Sequence, residues 1–351
     1  MENEKKSKNQ NSMKENRFVM STLDGIILDD DSDVDELADI NELKFERTKI
    51  KVVGIGGSGC NTLNRMIKNG ISGVELWVMN TDSQILKSSG CKNIVQLGKK
   101  TTKGLGSGGN MQIGEDAAKE TEHEIKTALK DTDMVFITTG LGGGTGTGAA
   151  PVIAKIAKDL GILTVAVVSF PFSFEGEKRK RLAELGINNL RNSVDAINII
   201  QNDKLLETAD WQSSLADAFS IVDENIFRFI QSISDEIAKP GIIHVEFEHI
   251  KELMQNAGYI SFGYGQASGK DRAIKATKTA LENISQPSDF KKVLLMMKGS
   301  ADMTLHELYD ASQVINEVIS EDTNFIMCDT VDNNLQDEIC VTIIATSIKE
   351  N

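Results

Sequence analysis

Residues 141–148 read LGGGTGTG, so five of these eight positions are glycine, and they lie between the apolar run MVFITTG and the helix-like stretch AAPVIAKIAKDLG. An apolar run followed by a glycine turn and an amphipathic pattern is typical of a strand that leads into a helix. Glycines at such a junction let the backbone approach an anion that the free amides of the helix N-terminus can bind. The stretch therefore predicts an anion-binding turn within an α/β fold.

The same alternation extends to both sides of this turn. The near-continuous apolar runs IKVVGIG, VELWVMN, LTVAVVS and AINIIQN are separated by amphipathic or glycine-containing stretches. Strands of this kind are buried on both faces, as in a parallel sheet with helices on each side. We predict a Rossmann-like, doubly wound parallel sheet.

Residues 214–238 then predict one long helix, SLADAFSIVDENIFRFIQSISDEIA, ended by Pro240 and Gly241. Beyond it, the strand-like runs YISFGYG, KKVLLMMKGS, NFIMCDTV and EICVTIIATSI alternate with two helix-like stretches. This pattern predicts a second, α+β domain whose last strands are adjacent and antiparallel. The predicted division is a first domain at 49–213, a central helix at 214–240, a second domain at 241–348 and a tail at 349–351.

Composition limits the partners and the location. The net charge of −14 argues against binding to nucleic acid or to anionic lipid. Four cysteines without CxxC spacing favour reduced thiols. The first twenty residues lack the apolar segment of a signal peptide, and no run of 18 apolar residues occurs. We expect a cytoplasmic protein with no nucleic-acid partner and no direct membrane insertion.

The first 48 residues show no sustained periodicity. They include LDGIILDDDSDVDELADI, which has eight acidic residues and no basic one. Such composition predicts a disordered acidic arm. Ile26, Ile27 and Leu28 beside the acidic run could form a short docking motif, whereas most tails of this kind are only solvated.

Two further glycine loops accompany the first. VVGIGGSGCN places Gly54, Gly56 and Gly59 at GxGxxG spacing before a helix-like stretch, and Asp82 follows the second strand. These features alone leave a dinucleotide-dependent Rossmann enzyme open as an alternative. The other loop, GLGSGGN at residues 104–110, again precedes a helix-like pattern.

Three such loops favour a nest for several phosphates over a site for one pyrophosphate. The sequence has no GxxxxGK[ST] motif, which excludes a P-loop. Backbone amides, helix N-termini and the hydroxyl groups of Thr145 and Thr147 therefore have to supply most of the binding.

In order, the motifs GIGGSGCN, NTD, GLGSGGN, GGGTGTGAAP, PFSFEGEKR and NDKLL resemble those of the tubulin/FtsZ family, in particular the bacterial division GTPases, over about residues 50–348. The resemblance implies GTP and GDP as ligands, with Mg²⁺, and hydrolysis of GTP. It also implies a GTP-binding domain, a central helix, a C-terminal activation domain and head-to-tail filaments of the cell-division type. A divergent paralogue fits the same motifs.

The resemblance also implies individual nucleotide contacts. Phosphates would be bound by the three loops, the ribose and outer phosphates by the FEGEKR motif, and guanine by an amide, a stacking ring and an acid. In that order the residues are Gly56, Gly57, Ser58, Asn61, Gly106, Ser107, Gly108, Gly109, Gly142, Gly143, Gly144, Thr145 and Gly146; Glu175 and Arg179; and Asn202, Phe219 and Asp223. An acidic side chain suits guanine because the ring N–H and the amino group of the base are two adjacent hydrogen-bond donors.

The family completes its hydrolytic site across a filament contact, with two aspartates from the adjoining subunit. Here the matching stretch is HVEFEHI, residues 244–250, in which Glu246 and His249 occupy the aspartate positions. Imidazole brings no negative charge and is bulkier than a carboxylate, so we expect slowed hydrolysis. Near-normal turnover through Glu246 or Glu248, and no turnover in a structural filament or accessory paralogue, remain alternatives.

A metal site is the other interpretation of this stretch, because His244, Glu246 and Glu248 alternate as on a strand. Too few further ligands are available, and we predict no metal bound by protein side chains alone. The C-terminal linker and adaptor-binding peptide usual in the family are expected to be absent. The expected partners are further copies of the chain or a second FtsZ-like subunit.

Overall fold

The computed structural model describes most of the chain, namely residues 48–206, 214–239, 241–284 and 289–347. The predicted acidic arm up to residue 47, the helix stop at Pro240 and the tail at 349–351 lie outside the described residues.

Ten strands form the sheet of the described part. Their bounds are β1 Ile50–Ile55, β2 Glu75–Asn80, β3 Asn93–Gln96, β4 Met134–Gly140, β5 Leu163–Phe170, β6 Ala196–Gln201, β7 Gly258–Ser268, β8 Phe290–Gly299, β9 Asn324–Val331 and β10 Glu338–Ser347.

The α-helices follow the predicted alternation, and a 3₁₀ turn at Ser173–Glu175 precedes one of them. The helices are α1 Gly56–Lys68, α2 Ser83–Ser88, α3 Met111–Glu120, α4 Glu122–Leu129, α5 Thr145–Asp159, α6 Glu177–Arg191, α7 Asn202–Leu206, α8 Leu215–Ala238, α9 Phe247–Met254, α10 Arg272–Glu282 and α11 Leu305–Asn316.

The sheet has the order β3-β2-β1-β4-β5-β6-β7-β10-β8-β9. Strands β1 to β7 pair in parallel, and the register of β1 with β4 sets Val53 opposite Ile137. Strands β1 and β4 are buried along most of their length because helices cover both faces. The predicted doubly wound parallel sheet with a second α+β part is confirmed.

The two halves of the sheet meet at a narrow junction. Strands β6 and β7 pair through Ala196 with Gly258 and Ile197 with Tyr259. Helix α8 bridges the same junction, because the ring of Phe229 contacts Phe136 of β4 at 6.0 Å and Phe262 of β7 at 5.1 Å between centroids. The central helix therefore packs against both halves.

The predicted adjacency of the last two strands is wrong. Strand β8 lies between β9 and β10, pairing with β9 in parallel and with β10 antiparallel, while β10 also pairs with β7. Residues 339–346 are all buried, whereas β9 is partly exposed along its first half. The more apolar β10 therefore takes the central position, and β9 closes the edge.

Candidate functional site

Three glycine loops meet at the carboxyl ends of the parallel strands. Helix α1 starts directly after β1, α5 starts at Thr145 after β4, and α3 starts at Met111 after the loop at 104–110. The hydroxyl group of Thr145 bonds to that of Thr81 at 2.6 Å and to that of Ser107 at 3.0 Å. We call residues 56–61, 104–110 and 141–148 the glycine cradle.

Some glycines of the cradle are required because the loops touch one another. A β-carbon at Gly144 would lie 2.4 Å from Ser107 Oγ and 2.7 Å from the Asn110 amide nitrogen. Gly56 has φ of +71°, and a β-carbon there would lie 3.1 Å from the amide nitrogen of Gly146. Side chains at these positions would force the loops apart.

Other glycines of the cradle border open space. A β-carbon at Gly108, Gly109 or Gly143 would have no atom within 4 Å. Packing therefore does not explain the lack of a side chain at Gly143, whose φ is not positive. The exposed backbone at these positions leaves room for a ligand that approaches the amides directly.

The FEGEKR motif packs against the third loop. Arg179 Nη1 and Glu175 Oε2 form an ion pair at 2.8 Å, and Glu175 Oε1 accepts a hydrogen bond from the Phe172 amide at 2.9 Å. The side chain of Arg179 lies over Gly142, where a β-carbon would be 2.6 Å from Arg179 Cγ. The half-exposed guanidinium is thus next to the cradle.

The N-terminal half of α8 packs beside the first loop. Asp223 Oδ1 accepts a hydrogen bond from Thr62 Oγ1 at 2.6 Å, and Oδ2 pairs with Arg65 Nε at 3.2 Å. Thr62 Oγ1 also lies 3.1 Å from the carbonyl oxygen of Ser58 within the cradle, so its single proton is shared between the two acceptors. Burial raises the pKa of Asp223, although the Thr62 hydrogen bond and the charge of Arg65 act in the opposite direction.

Two other candidates lie near these elements. The ring of Phe219, which is 40% exposed, meets that of Phe172 edge-on at 5.2 Å. Asn202 follows β6 at the start of α7 and is buried, and its Oδ1 has no hydrogen-bond partner among the described residues. A buried acceptor of this kind is suited to a donor from a ligand.

The HVEFEHI segment, residues 244–250, lies apart from the cradle. Glu246 precedes the first residue of α9, and the side chains of Glu246, Glu248 and His249 are exposed. Glu248 Oε1 pairs with Lys251 Nζ at 3.2 Å. The segment follows the C-terminal end of α8, whereas Phe219 and Asp223 lie near its start.

The length of α8 sets the separation. From Phe219 to Ala238 the helix rises about 28 Å at 1.5 Å per residue. The structure therefore brings the three loops, Glu175, Arg179, Phe219 and Asp223 together, and it leaves Glu246, Glu248 and His249 at the far end of the helix.

Comparison with known proteins identifies the family. The description "Tubulin/FtsZ family, GTPase domain" matches residues 49–210, and "FtsZ family, C-terminal domain" matches residues 258–349. An empty FtsZ dimer from M. jannaschii is 37% identical, with a TM-score of 0.83 over 90% of this chain and 93% of that chain. The chain belongs to the tubulin/FtsZ family.

Two further solved structures share this fold. A mutant of M. jannaschii FtsZ is 38% identical, with a TM-score of 0.82 over 90% of this chain and 96% of that chain. CetZ2 from Haloferax volcanii, a GTPγS-bound protofilament, is 19% identical, with a TM-score of 0.74 over 87% of this chain and 94% of that chain, which shows the shared fold. Family membership decides against the dinucleotide-dependent alternative.

Sequence reasoning missed two residues at this site of the tubulin/FtsZ fold. Thr62 and Arg65 bind the carboxylate of Asp223. The signal was present, because Ser58, Thr62 and Arg65 are spaced by four and three residues and so lie on one face of α1. That face is the one that meets α8.

Within the ranges that the structure describes, no three His, Cys, Asp or Glu side chains converge as a metal site would require. In the same ranges, no helix has both the length and the apolar content needed to cross a bilayer.

Proposed function

We propose that this chain binds GTP and GDP in the glycine cradle. The open backbone at Gly108, Gly109 and Gly143 and the N-termini of α1, α3 and α5 would bind the phosphates through amides. The proposed GTP-binding domain is 49–213, followed by a central helix at 214–240 and an activation domain at 241–348.

The proposed contacts to the rest of the nucleotide use the side chains around the cradle. Arg179 would add a charge-assisted hydrogen bond to phosphate oxygens, with Glu175 orienting it and facing the ribose. Phe219 would stack on the base. Asp223 retains lone pairs on both carboxylate oxygens after binding Thr62 and Arg65, so it can accept hydrogen bonds from guanine.

Assembly is the second part of the proposal. The cradle meets α8 at Asp223, and from there to Ala238 the helix rises about 22 Å, so the HVEFEHI segment that follows α8 lies too far away to reach a phosphate in the cradle of its own chain. The segment of an adjoining copy can do so in a head-to-tail row. This separation is the observation that carries the proposal, and it favours a homopolymer, with a second FtsZ-like subunit as a further partner.

Hydrolysis at this shared site is proposed to be slow. Phosphoryl transfer depends on a positioned water and on compensation of charge. Glu246 keeps a carboxylate, but His249 offers an imidazole, which is bulkier than a carboxylate and brings no negative charge. Glu248 is paired with Lys251, which reduces its availability as a substitute.

A non-hydrolysing structural filament, as in an accessory paralogue, is the second candidate. His249 is the observation that favours it, because this position offers no carboxylate to orient the attacking water. In this case filaments would form with GTP and persist.

Mg²⁺ enters the proposal only with the nucleotide. The described residues supply no converging set of three acidic or imidazole ligands. Phosphate oxygens and water are ligands that Mg²⁺ prefers, so the cation would arrive bound to the triphosphate and would neutralise its charge.

We propose a cytoplasmic role of the cell-division type. Support comes from the resemblance of the motifs to those of the bacterial division GTPases and from the two FtsZ structures, which are 37% and 38% identical to this chain.

The test is GTP turnover per chain, measured over a range of protein concentrations with filament imaging in the same samples. A shared site predicts turnover per chain that rises with concentration and parallels filament formation. Constant turnover per chain would contradict the shared site, and filaments without turnover would favour the structural alternative. A folded protein that binds no guanine nucleotide would overturn the proposal as a whole.

A further inference from the structure

Helix α1 holds the Asp223 carboxylate of α8 through two side chains. Thr62 Oγ1 donates a hydrogen bond to Asp223 Oδ1 at 2.6 Å, and Arg65 Nε pairs with Oδ2 at 3.2 Å. Arg65 Nη1 also bonds to the hydroxyl group of Ser220, which lies one turn before Asp223. Arg65 therefore joins two positions on the same face of α8.

The contact between α1 and α8 extends beyond this ion pair. Asn69, which ends α1, donates from Nδ2 to Glu224 Oε2 at 3.2 Å, and the Ser72 amide donates to Gln231 Oε1 at 3.1 Å. Because successive contacts advance along both segments, the two helices run in the same direction. The N-terminus of α1 belongs to the glycine cradle, so Arg65 acts at the cradle end of α8.

The Thr62 hydroxyl group supplies only part of what the carboxylate needs. Its single proton is shared with the Ser58 carbonyl oxygen, 3.1 Å away. The Asp223 side chain is 13% exposed, and burial disfavours the charged form of a carboxyl group. Burial raises the pKa of Asp223, whereas the Thr62 hydrogen bond and the charge of Arg65 lower it. Arg65 is thus the source of positive charge beside this carboxyl group.

Two further acids lie on the same part of α8. Glu224 Oε1 pairs with Arg228 Nε at 2.9 Å, and Asp217 Oδ2 accepts a hydrogen bond from the Ser214 amide at 3.0 Å. Loss of Arg65 would leave this end of α8 with more uncompensated negative charge. Such an excess favours protonation of a buried carboxyl group.

The protonation state decides which base the carboxyl group can recognise. A carboxylate only accepts hydrogen bonds, whereas a protonated carboxyl group also carries a donor. That donor would face one of the two donors of guanine. Hypoxanthine, the base of inosine, lacks the amino group and presents only the ring N–H. A charged carboxylate therefore favours guanine over hypoxanthine.

We propose that Arg65 is a specificity-determining residue of the nucleotide site: it positions the Asp223 carboxylate and holds it in the ionised form that accepts both donors of guanine. The inference rests on the proposed binding of GTP in the glycine cradle. Arg65 acts through Asp223 and is assigned no contact with the nucleotide, so it is a positioning residue.

The pH profile of GTP affinity tests this role. The probe is a GTP analogue with a fluorescent label on the ribose, and wild type is measured at each pH so that titration of the phosphates cancels. Relative to wild type, the affinity of Arg65→Met should fall by about tenfold between about pH 8 and pH 6, because the carboxyl group takes up a proton. A ratio that does not change with pH would overturn the inference.

Competition by inosine triphosphate tests base specificity directly. Wild type should prefer GTP by about tenfold, since inosine triphosphate loses a hydrogen bond to a charged group. In Arg65→Met at about pH 6 the preference should fall to about twofold. A variant that keeps the wild-type preference would contradict the inference.

A conservative variant separates charge from packing. Arg65→Lys keeps the positive charge, so its GTP affinity should stay within about threefold of wild type with the same pH profile. A Lys variant with the pH profile of the Met variant would refute the role of the charge. If Arg65→Met does not fold, Arg65→Gln removes the charge but keeps hydrogen-bond donors, and it should show the same fall with pH.

Arg228→Met is the matched control. Arg228 also forms a partly exposed ion pair on α8, with Glu224, and its guanidinium lies over the ring of Tyr264 at 4.3 Å from the centroid. GTP affinity of this variant should stay within about twofold of wild type at each pH. A fall equal to that of Arg65→Met would indicate a general effect of charge and overturn the inference.

A double variant shows whether Arg65 acts through Asp223. In an Asp223→Asn background, Arg65→Met should lower GTP affinity by less than about twofold, because an amide takes up no proton in this range. A loss as large as that in the wild-type background would show that Arg65 acts by another route and would refute the inference.

Failure of the two proposals can be distinguished. Folded wild-type protein that binds no guanine nucleotide contradicts the proposed function, and the inference with it. Wild-type protein that binds GTP, together with a folded Arg65→Met variant of equal affinity and equal pH profile, contradicts the inference about Arg65 alone.

Discussion

The glycine cradle and the HVEFEHI segment differ in how their residues are held. In the cradle, Thr145 bonds to Ser107 and to the neighbouring Thr81, and all three side chains are buried. In the segment, Glu246, Glu248 and His249 are exposed, and among the described residues their side chains make one ion pair, between Glu248 and Lys251 of the same helix.

The difference separates properties that depend on a single chain, such as folding and nucleotide binding, from those that depend on contact with another copy. The cradle is built by contacts within the chain, so a change there affects folding and binding together. The exposed side chains of the segment would act on another copy, so a change such as histidine for aspartate has little effect on folding. A protein of this fold can therefore keep its nucleotide affinity while substitutions in the segment change its rate of GTP hydrolysis.

The largest effect is expected from Gly144→Ala, which would break the cradle. The new methyl group would lie 2.4 Å from Ser107 Oγ and 2.7 Å from the Asn110 amide. Overpacking of this kind should lower the free energy of unfolding by about 2 kcal/mol. We also expect nucleotide affinity to fall by about 100-fold or more, measured by titration with a fluorescent GTP analogue.

Two control variants separate packing from ligand contact. Gly90→Ala lies outside the cradle, where the nearest atoms would be 3.7 Å and 3.9 Å away, and should change neither property. Gly143→Ala should fold normally but lower nucleotide affinity by about tenfold, because its methyl group enters the open space of the cradle. Wild-type affinity for both Gly143→Ala and Gly144→Ala would contradict the proposed phosphate site.

Asp223→Asn should have the next largest effect, on base specificity. A carboxylate accepts from both donors of guanine, whereas an amide offers one donor and one acceptor, which suits xanthine. GTP affinity should fall by about 30-fold and affinity for xanthosine triphosphate should rise. Thr62→Ala, which removes only the neighbouring hydroxyl group, should change GTP affinity by less than about threefold. An unchanged preference for GTP in the Asn variant would exclude base recognition by Asp223.

His249→Asp should separate the two regions, because a change in the HVEFEHI segment should alter GTP turnover alone. Restoring a carboxylate to the segment should raise GTP turnover of assembled protein by about tenfold, with unchanged nucleotide affinity and thermal stability. His123→Asp, an exposed change in the first turn of α4, should leave turnover at the wild-type value. Equal turnover of the His249→Asp variant and wild type in polymer would show that this position does not limit hydrolysis.

The smallest effect concerns pH and Glu236. Since burial raises the pKa of Glu236 above its ordinary 4.5, the folded state binds the proton more tightly than the unfolded state. Wild-type protein should therefore lose stability as the pH rises from about 4.5 through the raised pKa, and Glu236→Gln lacks this loss. His244 and Cys328 face the carboxyl group and are present in both proteins.

Urea unfolding of both proteins at pH values from 4.5 upward measures this difference. The free energy of unfolding of Glu236→Gln minus that of wild type should increase with pH and then become constant. A difference that does not depend on pH would show that Glu236 titrates alike in both states.

Local patterns predicted most of the cradle. Each glycine loop lies between an apolar run and an amphipathic stretch, so its place at a strand or loop that leads into a helix follows from sequence neighbours alone. Thr62 and Arg65 were missed because their partner, Asp223, lies on a helix 158 or more residues further along the chain. Only packing of α1 against α8 shows this contact.

Strand order was less accessible to sequence reasoning. Strand β3 was missed because Asn93–Gln96 has only four residues at the sheet edge. The order of β9 and β10 was wrong because short connections favour neighbouring pairing, whereas burial of residues 339–346 decides the central place. Burial on both faces depends on the whole sheet and is not visible in one segment.

The length of α8 affects how many complete hydrolytic sites a polymer contains. If each cleavage needs groups from two chains, a row of n copies contains n − 1 finished centres, and one terminal chain keeps its triphosphate intact. A short oligomer then hydrolyses GTP more slowly per chain than a long one. The length of one helix would thus make the nucleotide state of a subunit depend on its position in the polymer, with GTP retained at one end.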